Sequence, residues 1–204
     1  MLLEKTNYTK LCGVILEEVK FNHKRGEICF YSTKVGIERW SKTIDEIPII
    51  IPEKLLDSKN LKGLYVDMEG QIRTFNEHDE HGKSHLKVYF FVKEIFYNYN
   101  EVITENQNEV YLKGTICNLQ EIRKTPEGKT IIDFILAVNR EYNKADYIPC
   151  IAWGATARLI SNLQVGDKIE IFGRIQSRIY VKKYEDSSEI KEAYEVSVMR
   201  MRLI

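Results

Sequence analysis

The chain repeats itself, and the repeat limits what it can fold into. Leu11-Cys12-Gly13 recurs as Leu112-Lys113-Gly114, displaced by 101 positions. The same displacement carries Arg39 onto Arg140, Asp45 onto Asp146 and Ile47-Pro48 onto Ile148-Pro149. After a short helical insertion in the second copy the displacement becomes 103, carrying Gly63 onto Gly166, Gly70 onto Gly173 and Ile72 onto Ile175. A register kept over so many positions means two copies of one folding unit. Between the copies, Tyr97 to Asn108 (YNYNEVITENQN) is rich in Asn and Glu with little apolar pattern, as linkers are. The expected organisation is a first domain over 1–97, a linker over 98–107 and a second domain over 108–204.

Each copy reads as β-rich. In the second, a strand opens at Glu109 to Ile116, and Thr125-Pro126-Glu127-Gly128-Lys129 has the Pro and Gly of a turn. Thr130 to Asn139 alternates, with Ile132, Phe134, Leu136 and Val138 on one side. Tyr147 to Trp153 is a third strand, and Ala155 to Leu163 has helical composition. Lys168 to Tyr180 is a long fourth strand interrupted at Gly173, where a barrel strand would bend, and Tyr194 to Leu203 is a fifth. Three strands, a short helix and two strands in about a hundred residues is the order of an OB barrel. The expected fold is mainly all-β: two tandem OB-fold five-stranded β-barrels, each with a short helix or turn between strands 3 and 4.

Strand alternation sorts the second copy into two faces. On the third strand Ile148, Cys150 and Ala152 point to the core, so Tyr147, Pro149, Ile151 and Trp153 point outward. On the fourth, Ile169, Ile171 and Ile175 are core, and Phe172, Arg174, Gln176, Arg178 and Tyr180 oppose them. Taking the two strands as neighbours, the outward face offers four aromatics and two arginines, where a solvated face carries Lys, Glu and Thr. Bases of a single strand stack on such rings for roughly 1–3 kcal/mol each, while Arg and Lys neutralise phosphates. The alternative is that these rings are buried in a subunit interface.

Composition sets the bounds. Lys plus Arg equals Asp plus Glu at 30 each, so any attraction to phosphate must come from a local stripe of charge. Apolar runs such as Ile47 to Pro52 are too short to span a bilayer, and the first residues lack an apolar stretch of signal-peptide length. A cytoplasmic location without membrane contact is expected. Cys12, Cys29, Cys117 and Cys150 show no C-x-x-C spacing and read as small hydrophobes. His78, His81 and His85 read as solvated hairpin residues rather than metal ligands. There is no Gly-rich phosphate loop, no H-E-x-x-H and no nucleophile–base arrangement; neither an enzyme nor a cofactor is expected.

Three ordered blocks carry a resemblance. Asp133-Phe134-Ile135-Leu136-Ala137-Val138-Asn139-Arg140, Tyr147-Ile148-Pro149-Cys150-Ile151-Ala152-Trp153-Gly154 and Gly173-Arg174-Ile175-Gln176-Ser177-Arg178 strongly resemble the bacterial single-stranded DNA-binding protein (SSB) family over about residues 108 to 204. The resemblance implies base stacking on Tyr142, Tyr147, Trp153 and Tyr180, of which the alternation pattern reaches all but Tyr142. Arg140, Arg174, Arg178 and Phe172 complete the expected contacts of this copy, and the partner implied is single-stranded DNA, bound largely without sequence specificity. Roles in DNA replication, recombination or repair follow from the resemblance, as do replication or recombination proteins as possible partners. Family members commonly end in an acidic recruiting tail, whereas this sequence ends in Met199-Arg200-Met201-Arg202-Leu203-Ile204, so recruitment through such a tail is not expected. The alternative function is an OB-fold adaptor of primosome type whose aromatic face meets a protein.

Carried back through the repeat, Tyr147 falls on Glu46, Trp153 on Pro52, Phe172 on Glu69 and Tyr180 on Glu77. Trp40 lies one position from the site matching Tyr142, and Arg73 and Phe75 remain on the fourth strand as expected contacts. Three of these rings have become carboxylates, and three lost stacks amount to about 3–9 kcal/mol, so the first barrel should bind DNA weakly or serve dimerisation or protein contact. Since Tyr89-Phe90-Phe91-Val92 and Glu94-Ile95-Phe96 place apolar residues on both faces of a strand, a homodimer giving four OB folds is expected; a compact monomer is the alternative.

Overall fold

The computed structural model describes residues 6–78, 82–98, 108–140, 144–183 and 188–204. The first copy comprises β1 (Asn7–Ile15), β2 (Lys20–Arg25), β3 (Ile28–Glu38), β4 (Ile44–Pro52), a 3-10 turn (Glu53–Leu55), β5 (Tyr65–His78) and β6 (Ser84–Asn98). The second comprises β7 (Asn108–Leu119), β8 (Arg123–Lys124), β9 (Thr130–Asn139), β10 (Ala145–Trp153), α1 (Gly154–Ile160), β11 (Lys168–Lys183) and β12 (Ser188–Leu203). Apart from Asn98, the expected linker lies outside the described residues.

Both copies close in one circular order. The first runs β1-β3-β4-β6-β5 and back to β1; the second runs β7-β9-β10-β12-β11 and back to β7. In each, the pairing of the third and fifth barrel strands (β4–β6, β10–β12) is parallel and every other pairing is antiparallel. This is the OB topology expected, with α1 or the 3-10 turn between strands 3 and 4. Two elements go beyond five strands: β2 and β8 are short arms hydrogen-bonded to β3 and β9.

The repeat is visible in the cores. Leu11, Ile15, Ile47 and Ile72 are fully buried in the first barrel, as are their counterparts Leu112, Ile116, Ile148 and Ile175 in the second. The repeated glycines mark close approaches between strands. A Cβ on Gly70 would lie 2.1 Å from the Phe91 carbonyl oxygen, and one on Gly173 would lie 2.2 Å from that of Ser197. Both sit at a register shift in the hairpin they belong to, a bulge that bends the strand. Cys12 and Cys150 are buried, Cys29 and Cys117 half-buried, and burial pushes the Cys150 thiol well above its ordinary range.

The barrels are joined directly. β1 pairs antiparallel with β7, Asn7 opposite Leu112 and Leu11 opposite Asn108, so a pseudo-twofold axis relates the copies. Past the bulges, β5 and β11 leave the ladder with β1 and β7, and their freed backbone groups need other partners. Asn7 provides them for Ile72, donating Nδ2–H to its carbonyl at 2.7 Å and accepting its N–H at 3.0 Å. Asn108 does the same for Ile175 at 2.7 and 2.9 Å. Two residues further on, the opposite barrel takes over. Asp45 accepts the Ser177 N–H at 2.7 Å while Arg39, paired to Asp45, donates to the Ser177 carbonyl at 2.9 Å. Asp146 and Arg140 treat Thr74 the same way, at 2.5 and 2.9 Å. Asp45 and Asp146 are fully buried, so each charge is enclosed with its partner. Hydrogen bonding to Asp45 raises the Arg39 pKa against the opposing effect of burial.

Among the described residues no helix is long and apolar enough to cross a membrane. His78 ends β5 and His85 pairs opposite Glu77 on β6, while His81 lies outside the described residues.

Candidate nucleic-acid interface

Alternation along β10 turns Tyr147, Pro149 and Trp153 away from a core formed by Ile148, Cys150 and Ala152. Trp153 ends the strand, and Gly154 (φ 55°) turns the chain into α1. Ile151, expected outward, is covered at 4% exposure, and so is its repeat counterpart Ile50. On β11, Gln176 was also expected outward but is buried and donates to Glu195 at 2.9 Å. The large rings are open. Tyr147 is 52% exposed, Phe172 48%, Trp153 38% and Tyr180 37%.

β10 and β11 are not neighbours, contrary to the sequence expectation. β12 lies between them, because the fifth OB strand inserts between the third and fourth. What joins their outward faces is a shallow groove lined by Asn118, Gln120, Arg123, Pro149, Arg178 and Glu195. Pro149 brings in the strand of Tyr147 and Trp153. Arg178 brings in Tyr180, over whose ring its guanidinium lies 5.7 Å from the centroid. Arg178 is 3.5 Å from Glu195, and Arg123 is bound to Asp133, so the groove pairs its arginines with carboxylates. Arg174 is half-buried. Phe172 lies further along β11 with its ring 5.0 Å from that of Tyr111 on β7.

The other expected contacts fall in three places. Tyr142 lies outside the described residues. Arg140 and Arg73 both bind Asp146 at the junction, Arg73 at 3.0 Å, rather than standing on the open face. Trp40 is fully exposed at the β3–β4 turn, and Phe75 is stacked on Tyr89 with centroids 5.2 Å apart and planes 7° from parallel. The Thr74 hydroxyl accepts the Tyr147 N–H at 2.8 Å, so Phe75 and Tyr147 are adjacent to the same inter-barrel contact. At the remaining matched positions of the first barrel, Glu46 binds Lys34 at 3.1 Å, Glu77 binds Lys87 at 3.1 Å and Pro52 is buried.

Sequence reasoning missed Arg123, Asn118, Gln120, Glu195 and Tyr111. Arg123 carried a usable signal, standing just before a Pro-Gly turn as basic hairpin residues do. Glu195 carried none, because its role depends on β12 passing between β10 and β11.

Known proteins resemble the chain in two ways. The Single-strand binding protein family matches residues 107–204, the second barrel. A single-stranded DNA-binding protein of Halalkalibacterium halodurans is 34% identical over 99 residues, 45% of this chain and 56% of that protein. Single-stranded DNA-binding protein 1 of Streptococcus pyogenes is 39% identical over 80 residues, 36% of this chain and 62% of that protein. The chain thus spans little more than half the length of these relatives. In structure, the wild-type single-stranded DNA binding protein from Thermus aquaticus superposes with a TM-score of 0.67 at 20% identity, covering 97% of this chain and 92% of that one. A deletion mutant of it gives 0.71, covering 97% and 94%. Both likenesses extend over the two barrels and are likenesses of fold.

Proposed function

We propose that the chain binds single-stranded DNA, largely without sequence preference, and that the second barrel carries most of the contact. The observation behind this reading is the set of open rings Tyr147, Trp153, Phe172 and Tyr180 on the barrel that matches the Single-strand binding protein family. A single strand offers unpaired base faces, and each ring it meets is worth roughly 1–3 kcal/mol. Arg174 and Arg178 lie on the same strand as Phe172 and Tyr180 and supply charge toward phosphate, and Tyr142 is expected to add a further stack. Arg140 and Arg73 act indirectly by fixing the junction next to Tyr147. Trp40 and the Phe75–Tyr89 pair give the first barrel a smaller share, since carboxylates stand at Glu46, Glu69 and Glu77 and repel phosphate.

The domain division 1–97 and 108–204 belongs to this proposal, as does a homodimer presenting four barrels. Replication, recombination or repair of DNA is the setting in which such binding would act. The test is substitution on the open face. Tyr147→Ala and Trp153→Ala should each weaken binding of an oligodeoxythymidylate by roughly 1–3 kcal/mol, about five- to 150-fold, with the thermal midpoint nearly unmoved. Unchanged affinity in both would leave the face without a nucleic-acid role and favour the protein-adaptor reading.

A further inference from the structure

Tyr147 stands near the start of β10, and its backbone is held from the other barrel. Where β9 and β10 meet, Arg140 donates its N–H to the Lys144 carbonyl at 2.7 Å. In the antiparallel ladder that follows, Tyr147 and Ala137 therefore form a non-hydrogen-bonded pair, and the Tyr147 N–H turns away from β9. The strand on that side is β12, which among the described residues pairs with β10 only at Cys150 to Ala152. What meets the Tyr147 N–H is the hydroxyl of Thr74, on β5 of the first barrel, at 2.8 Å. Thr74 is buried, and its own N–H and carbonyl are fixed on Asp146 and Arg140 at 2.5 and 2.9 Å. A β-branched side chain on a clamped backbone has little freedom, so the hydroxyl is set in place for Tyr147.

Joining the barrels does not require this bond. Across the pseudo-twofold axis Ser177 takes the place of Thr74, and Glu46 takes that of Tyr147. Asp45 and Arg39 hold the Ser177 N–H and carbonyl as Asp146 and Arg140 hold those of Thr74. The Ser177 hydroxyl donates to Asp45 at 3.2 Å, and among the described residues no hydrogen bond joins it to Glu46. The Thr74 hydroxyl is 3.4 Å from Asp146 but 2.8 Å from the Tyr147 nitrogen. Both sites share the clasp between barrels and differ in the bond to the residue beside it. That bond is made to the open ring of Tyr147 and not to the carboxylate residue Glu46, whose side chain turns to Lys34.

From this we infer that Thr74 is a positioning residue for the stacking ring of Tyr147, so that the first barrel acts on DNA held by the second without touching it. Loss of the hydroxyl would leave the Tyr147 N–H to water and free the first residues of β10 to depart from the ladder. A ring that must be ordered on binding loses affinity that an already ordered ring keeps. The inference rests on the proposed function, in which Tyr147 stacks on a base.

The test uses the full chain, a labelled oligodeoxythymidylate and a double-mutant cycle. Thr74→Val removes the hydroxyl, keeps the branched shape and should weaken binding roughly three- to tenfold. Thr74→Ser keeps the hydroxyl and should bind as the native chain does. In a Tyr147→Ala chain the Thr74→Val change should alter affinity by less than about twofold, whereas in a Trp153→Ala chain its full effect should remain. Circular dichroism melting checks that the variants stay folded, and Thr74→Ala, which cannot crowd the junction, repeats the measurement with a smaller side chain. Native affinity in folded Thr74→Val and Thr74→Ala overturns the inference. So does an equal loss in the Tyr147→Ala background, the mark of a purely structural role. Tyr147→Ala at native affinity overturns it too, and Trp153→Ala then shows whether the proposed function falls with it.

Discussion

Asn7 and Asn108 show how much one side chain can carry in this fold. Each returns a donor and an acceptor to a backbone unit that the bulge has taken out of the ladder. Replacing Asn108 with Ala would leave two polar groups of Ile175 without partners, at about 1–3 kcal/mol for each. Asp146 carries more, since Arg140, Arg73 and Thr74 all converge on it. Asp146→Ala should cost about 3–5 kcal/mol, because it leaves two half-buried arginines and the buried Thr74 N–H without their acceptor; denaturant titration measures both effects. Here the sequence was legible only as correspondence. Asp45 and Asp146 stood out as repeated, but Ser177 lies 132 residues from Asp45 and Thr74 lies 72 from Asp146, beyond any local pattern. Arg73 reads as a phosphate contact for the same reason, since the carboxylate that holds it stands in the other barrel, whereas Arg140 binds Asp146 six residues away in its own barrel.

Strands were legible where one face is core and the other solvent. Ile132, Phe134, Leu136 and Val138 alternate in sequence and are buried in the barrel. The reading failed where the outer face is covered, at Ile151 and Gln176, because alternation distinguishes two faces without saying what lies over either. It also missed β2, whose residues are all exposed and show no apolar period. Sheet order lies further from reach, since β10 and β11 are adjacent in chain order and separated by β12 in space. The β1–β7 seam gives the element its own prediction. In a fragment of about residues 106–204, Asn108–Leu112 would be an unpaired edge. The register that joins Asn7 to Leu112 and Leu11 to Asn108 suits β7 pairing with a second β7, since the repeat carries Asn7 onto Asn108 and Leu11 onto Leu112. The fragment should therefore associate as a symmetric dimer through β7 and keep most of the DNA affinity. Sedimentation showing a monomer at tens of micromolar would oppose this account of the seam.

At the scale of the molecule, each chain is already a pair of barrels about a pseudo-twofold axis. Two such chains would bring four barrels together, and light scattering should then report about twice 24.0 kDa. The first barrel covers part of the apolar surface that suggested a partner: Tyr89 stacks on Phe75, and Phe91 packs 5.8 Å from Phe30. Phe96 stays exposed on β6, and Phe172 with Tyr111 lies on the sheet that runs across both barrels. Of these rings Phe96 is the one a second chain would cover. The two barrels differ chemically in spite of their common fold, one carrying carboxylates where the other carries rings, and single-strand binding should reflect that difference. The most direct measurement is a fluorescence titration of the Trp40→Phe chain, in which Trp153 is the one remaining tryptophan. Single-stranded oligonucleotide should quench it by stacking, bind far more tightly than duplex of the same sequence and weaken as salt rises. Equal affinity for duplex at moderate salt, or tight binding that leaves Trp153 unquenched, would contradict the stacking mechanism.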